Sequence, residues 1–274
     1  MCYDLEEGYK RRIKEGIRMG ASKEDINHHI DLYNQRFPET PIPRLHGGYH
    51  LSGFTHPALP VFVKSPEHGL ELRPIQWGLI PHWCNDAKVA TSLWNQTLNA
   101  RSESMFEKPS FRTSAQSKRG IVMLQSYYEH HHFGKRSYPF NIRSKDDGPL
   151  FVAVLWDEWE DATTSDVHTT FGIVTVPAND MLAVLHNNPK AENARMPLIL
   201  DKDAIDAWLD THADMPKEAI LELCRPYDAR ALLAYPVRPL RGARAVGDVP
   251  EAVAPTEYPE LVFDQELMEA LGEQ

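Results

Sequence analysis

The chain is poor in cysteine: Cys2, Cys84 and Cys224 are its three thiols in 274 residues, and no C-x-x-C pair occurs. So odd and scattered a set excludes a disulfide framework and the usual zinc spacings, and it points to a reducing compartment. Apolar runs long enough to cross a bilayer are missing, and the first residues pass straight into Asp4, Glu6, Glu7 and Lys10 without a secretory pattern. A cytoplasmic location with no membrane partner is expected. An excess of positive charge is also absent: 29 Lys and Arg stand against 39 Asp and Glu, for a formal net charge of −10. Indiscriminate nucleic-acid binding is disfavoured, because phosphate affinity rests on cationic neutralisation. A local basic groove is still open, since Arg101, Lys108, Arg112, Lys118 and Arg119 lie close in sequence, although a solvated face explains them equally well. No internal repeat is present. The run His130-His131-His132 offers imidazoles, but successive strand side chains alternate faces and no helical H-E-x-x-H pattern accompanies it. No metal and no cofactor are expected.

Apolar residues make up 42% of the chain, enough for a substantial core. Leu5, Tyr9, Ile13 and Ile17 recur at helical spacing up to Gly20, and Ser22 with Asp25 forms a capping box before Ile26, Ile30, Tyr33 and Phe37. Two N-terminal helices are predicted, followed by irregular structure over 38–60. Strand-like runs rich in β-branched and aromatic residues then dominate, at 60–63, 70–79, 121–128, 150–156, 171–176, 196–200 and 232–237. They lack the regular alternation with helices of a doubly wound parallel sheet. Helices return at 202–210, behind a capping Asp201, and at 216–224, with Pro in the first turn. The expectation is an α+β fold with a largely antiparallel, barrel-like β core and flanking helices. Its domain spans 1–245, and 246–274 forms an acidic, Pro-rich peripheral tail with a short terminal helix marked by Phe263, Leu267 and Leu271.

Chemically, Cys2 is the most informative residue. Removal of Met1 leaves an α-amine and a thiol on adjacent carbons, with reference pKa values of ~7.7–8.0 and ~8.5. Such a 1,2-aminothiol attacks acyl carbons, or captures an aldehyde and closes a five-membered thiazolidine. Four segments carry further candidates: Trp77-Gly78-Leu79-Ile80-Pro81-His82-Trp83, Asn99-Ala100-Arg101-Ser102-Glu103-Ser104, Tyr127-Tyr128-Glu129, and His186 followed by Arg195-Met196-Pro197.

Together with Cys2 and in this order, these segments resemble the SOS response-associated peptidase family, whose members are also described as abasic-site processing proteins. The resemblance extends from Cys2 to about residue 240. It implies the family's fold and a partner, single-stranded DNA containing abasic sites, with no obligate protein partner evident. The implied reaction is capture of the open-chain aldehyde by Cys2 as a covalent thiazolidine crosslink, with N-terminal autoproteolysis and lyase-type chemistry as companions. By the same resemblance Glu129 moves protons, His186 assists the sugar chemistry, and Asn99 orients the Cys2 backbone or the adduct. Arg101 contacts the DNA backbone, while Trp77 and Trp83 bound the DNA surface. Two departures stand out: many members begin Cys-Gly-Arg where this chain has Cys2-Tyr3-Asp4, and many bring the histidine closer to the Arg-Met-Pro motif than His186 is to Arg195. The alternatives are a cysteine-dependent peptidase or amidohydrolase built on Cys2, Asn99, Glu129 and His186, and a non-catalytic DNA-binding module.

Overall fold

A computed structural model describes residues 2–6, 48–65, 69–211 and 215–272. In chain order the strands are β1 (Asp4–Glu6), β2 (Leu51–Ser52), β3 (Ala58–Ser65), β4 (Gly69–Trp77), β5 (Asn99–Arg101), β6 (Arg119–Leu124), β7 (Ser126–Phe133), β8 (Arg136–Ser144), β9 (Leu150–Glu160), β10 (Val167–Pro177), β11 (Arg195–Pro197) and β12 (Leu232–Pro236). The helices are α1 (Ala87–Gln96), α2 (Arg112–Ser117), α3 (Asp180–Leu185), α4 (Lys202–Leu209), α5 (Lys217–Glu222) and α6 (Gln265–Gly272).

Five strands close a barrel. β4, β3, β6 and β9 pair antiparallel in succession, β9 pairs antiparallel with β10, and β10 returns to β4 in parallel. Every residue of β6 is buried, as expected of a strand whose two faces both meet core. Even Arg119 is buried there, its guanidinium donating to the carbonyls of Ala115, Gln116 and Trp208. On the outside of the barrel β5 and β11 extend β10. The second sheet, in the order β12-β8-β7-β1-β2, is antiparallel throughout. The α+β expectation with a barrel-like core is met.

Several local expectations change. Leu5 lies in a strand rather than a helix, because β1 is clamped between β7 and β2 and buries Leu5 fully. The rest of the two predicted N-terminal helices lies outside the described residues. The run 121–128 divides at Gln125 between the two sheets, where the Gln125 N–H donates to the Glu6 carbonyl. β8 is an additional strand, paired with β7 along its length. The 246–274 segment carries its helix, and its Leu261 and Leu267 are buried in the main core. Asp264 from that segment lies 2.8 Å from His131 Nε2.

Candidate active site

Both sheets contribute to one site. Asn99 is held on β5 opposite Ile173 of β10, and its Nδ2 donates to the Cys2 carbonyl at 3.0 Å. That bond joins the barrel to the N-terminus just before β1. Cys2 is fully buried, with its thiol 3.9 Å from the Asp4 carbonyl. On β7, Tyr127 stands opposite Leu5, and Glu129, two residues on, shares the face of Tyr127. Glu129 is buried; its Oε1 accepts from the His130 N–H at 3.2 Å and its Oε2 lies 3.5 Å from His186 Nδ1. His186, also buried, caps the C-terminus of α3.

Burial pushes the Cys2 thiol well above its ordinary range, and the Glu129 carboxylate pushes in the same direction. Desolvation likewise raises the Tyr127 phenol, with Cys2 and Glu129 adding to it. The His186 Nδ1 lies 2.8 Å from the Arg195 carbonyl and 3.1 Å from the Arg195 N–H. These bonds also explain the long spacing in sequence: 187–194 loops outward while its two ends meet, and Asn188, Lys190 and Glu192 line the mouth of the site.

Arg195 sits behind this pair. It forms a two-pronged bond to Glu103 at 2.9 and 2.7 Å and donates to the Thr175 carbonyl and hydroxyl. Burial raises the Glu103 carboxyl, but the Arg195 bonds outweigh it and leave Glu103 below its ordinary range. A cavity of about 660 Å³ opens over Glu129 and His186, lined also by Tyr3, Arg101, Arg195 and Arg241.

Cys2, Asn99, Glu129 and His186 thus come together, and Arg101 stands at the rim, half-exposed and 3.2 Å from Glu192. The tryptophans lie elsewhere. Trp77 is fully buried, donates its indole N–H to the Leu98 carbonyl and stacks parallel to Phe171, so it presents no face to a ligand. Trp83 is exposed, with its indole N–H on the Pro109 carbonyl, and does not line the cavity. Gly78 between them has φ +108°, and a Cβ there would stand 2.7 Å from the Trp94 carbonyl, so the turn after β4 needs glycine. Asp4, His50 and Arg241, which no local pattern in the sequence groups together, meet across almost the whole chain length. The sequence marks Arg195 only as part of the Arg195-Met196-Pro197 motif.

A family profile described as SOS response associated peptidase (SRAP) matches residues 19–242. "Abasic site processing protein YoqW" of Bacillus subtilis is 31% identical over 196 residues, covering 71% of this chain and 82% of that protein. "Abasic site processing protein HMCES" of Gallus gallus is 28% identical over 206 residues, covering 68% of this chain and 58% of its own. The crystal structure of a Bacteroides thetaiotaomicron protein superposes with a TM-score of 0.77 at 30% identity, over 93% of this chain and 100% of that one.

Proposed function

Because the chain belongs to the SOS response associated peptidase family, we propose that it processes abasic sites in DNA, forming a covalent crosslink through Cys2 once Met1 has been removed. The observation that carries this reading is the seating of Cys2: its carbonyl is held by Asn99, and its thiol lies within the field of Glu129, which faces His186 across 3.5 Å.

The substrate is the open-chain aldehyde of an abasic site in single-stranded DNA. The neutral Cys2 amine adds to C1′, and the carbinolamine loses water to give an iminium. The thiol then adds to the same carbon, forming the C–S bond and giving up its proton, and a neutral thiazolidine closes. In total one water leaves. Glu129 takes and returns protons during amine addition and dehydration, and His186 serves the sugar hydroxyls during ring opening. A thiol held protonated by burial suits a sequence in which the amine attacks first. It suits an acyl-transfer peptidase less well, since such an enzyme relies on a thiol pKa that has been lowered.

The test is incubation of Met1-processed protein with a uracil-containing single strand treated with uracil glycosylase. A heat-stable adduct is expected with wild type. Cys2→Ser should give only an imine that borohydride traps, because the hydroxyl is a poor partner for ring closure. A heat-stable adduct on Cys2→Ser would overturn the reading.

A further inference from the structure

Directly after Cys2, the chain builds an exposed surface that none of the roles above uses. Asp4, fully buried in β1, accepts from Arg241 at 2.6 Å and lies 2.8 Å from His50 Nε2. A buried carboxylate with two such partners fixes the guanidinium in place. Only one Arg241 donor is spent on Asp4, and the side chain is 45% exposed at the cavity over Glu129. The same guanidinium lies over the ring of Phe54 at 5.5 Å, and Phe54 packs on Tyr3 with ring centroids 5.1 Å apart.

Phe54 is 47% exposed, although the backbone that carries it is anchored by a hydrogen bond to the start of the chain. It sits in the short 3-10 turn Gly53–Thr55, where the Gly53 N–H donates to the Tyr3 carbonyl at 2.8 Å. A Cβ on Gly53 would come within 3.1 Å of the Trp77 ring, so the turn is pressed against the core. A half-exposed aromatic ring on an anchored turn, with a held cation over it, offers the two groups that a nucleotide needs: a ring to stack on the base and a cation to neutralise the phosphate.

We propose that Tyr3, Phe54 and Arg241 form a nucleotide-binding shelf that takes one unpaired base of single-stranded DNA and its adjoining phosphate beside the Cys2 site. Phe54 stacks the base, Tyr3 supports Phe54 from behind, and Arg241 holds the phosphodiester. This inference rests on the proposed DNA substrate. It assigns the cation at this end of the cavity to the C-terminal segment, which delivers it onto Asp4.

Reversible binding of an intact oligodeoxythymidylate and of an equally long strand of tetrahydrofuran spacers, which has phosphates but no bases, tests the shelf. Affinity is measured by fluorescence anisotropy at several salt concentrations on the full chain. Phe54→Ala should weaken the thymidylate by roughly five- to 150-fold and leave the base-free strand unchanged. Arg241→Gln keeps a donor for Asp4 and should weaken both strands alike, flattening the log–log salt slope by about 0.7. Thymidylate affinity unaltered by Phe54→Ala, or both strands weakened equally by it, overturns the shelf. An unchanged salt slope in Arg241→Gln, with a wild-type melting temperature, overturns the phosphate contact. Adduct formation by the wild-type protein with free 2-deoxyribose reports separately on the aminothiol: its absence would strike the proposed function and leave the shelf to be judged by the anisotropy alone.

Discussion

Replacing Glu129 with Gln moves three quantities, one down and two up. The amide keeps the shape of the side chain and a contact with the His130 N–H, but it can neither take up nor release a proton at neutral pH. Losing a general acid–base should slow adduct formation by roughly a hundred- to ten-thousandfold. Reversible binding of an intact strand should instead tighten slightly. A carboxylate about 8 Å from a phosphate in a water-like dielectric contributes about 0.5 kcal/mol of repulsion, so its removal changes affinity by roughly twofold. The third quantity is the reactivity of the Cys2 thiol. Burial is the main cause of its raised pKa and Glu129 the next, so Gln should lower the pKa part of the way and speed Cys2 alkylation by iodoacetamide at fixed pH. Rapid-quench crosslinking, anisotropy and peptide-resolved mass spectrometry read the three in turn. A parallel loss of crosslinking and strand binding together with a lowered melting temperature would show that Glu129 only supports the fold, and would refute its role in proton transfer.

Alkaline stability follows from Cys224, whose thiol burial pushes up to about 12 from 9.0. The folded state keeps that proton while the unfolded chain loses it above pH 9, so stability falls as pH rises from about 9 toward 12. At pH 10 Cys224 accounts for about 1.4 kcal/mol of this loss, and in thermal melts Cys224→Ser should flatten the decline above pH 9. Tyr127→Phe should be neutral or stabilising in chemical denaturation, because the buried Tyr127 hydroxyl has no hydrogen-bond partner among the described residues; a cost above about 2 kcal/mol would contradict this. Arg101→Ala should weaken several single strands to a similar extent and reduce the salt slope by about 0.7 without altering the melt. Unchanged affinity and slope would remove Arg101 from the DNA surface.

Residue chemistry was more legible in the sequence than residue partnership. Runs such as 150–156 and 171–176 announced β9 and β10 because core strands are apolar and β-branched. β8 escaped notice because Pro139 and polar residues interrupt its pattern, and only the full-length pairing with β7 makes it a strand. Helix α1 is amphipathic but mostly exposed; its clearest signal is Asp86, whose side chain accepts from the Lys88 and Val89 N–H groups. Leu5 read as helical because four-residue spacing is a local property, whereas β1 is dictated by neighbours more than a hundred residues away. Within the site, the motifs marked Cys2, Asn99, Glu129 and His186. The burial of Trp77 depends on how β4 and β10 pair, and the Asp4–Arg241 contact closes a span of 237 residues that no local pattern encodes.

The most direct measurement is the intact mass of the protein after incubation with an abasic single strand, with and without an uncleavable residue placed before Cys2. The aminothiol mechanism predicts that the Met1-processed protein gains the mass of the strand less one water, with the modification mapping to the Cys2 peptide, and that the blocked protein stays at its own mass. The same heat-stable adduct on the blocked protein would contradict it, since Cys84 and Cys224 carry no α-amine and a crosslink formed without a free Cys2 amine needs different chemistry.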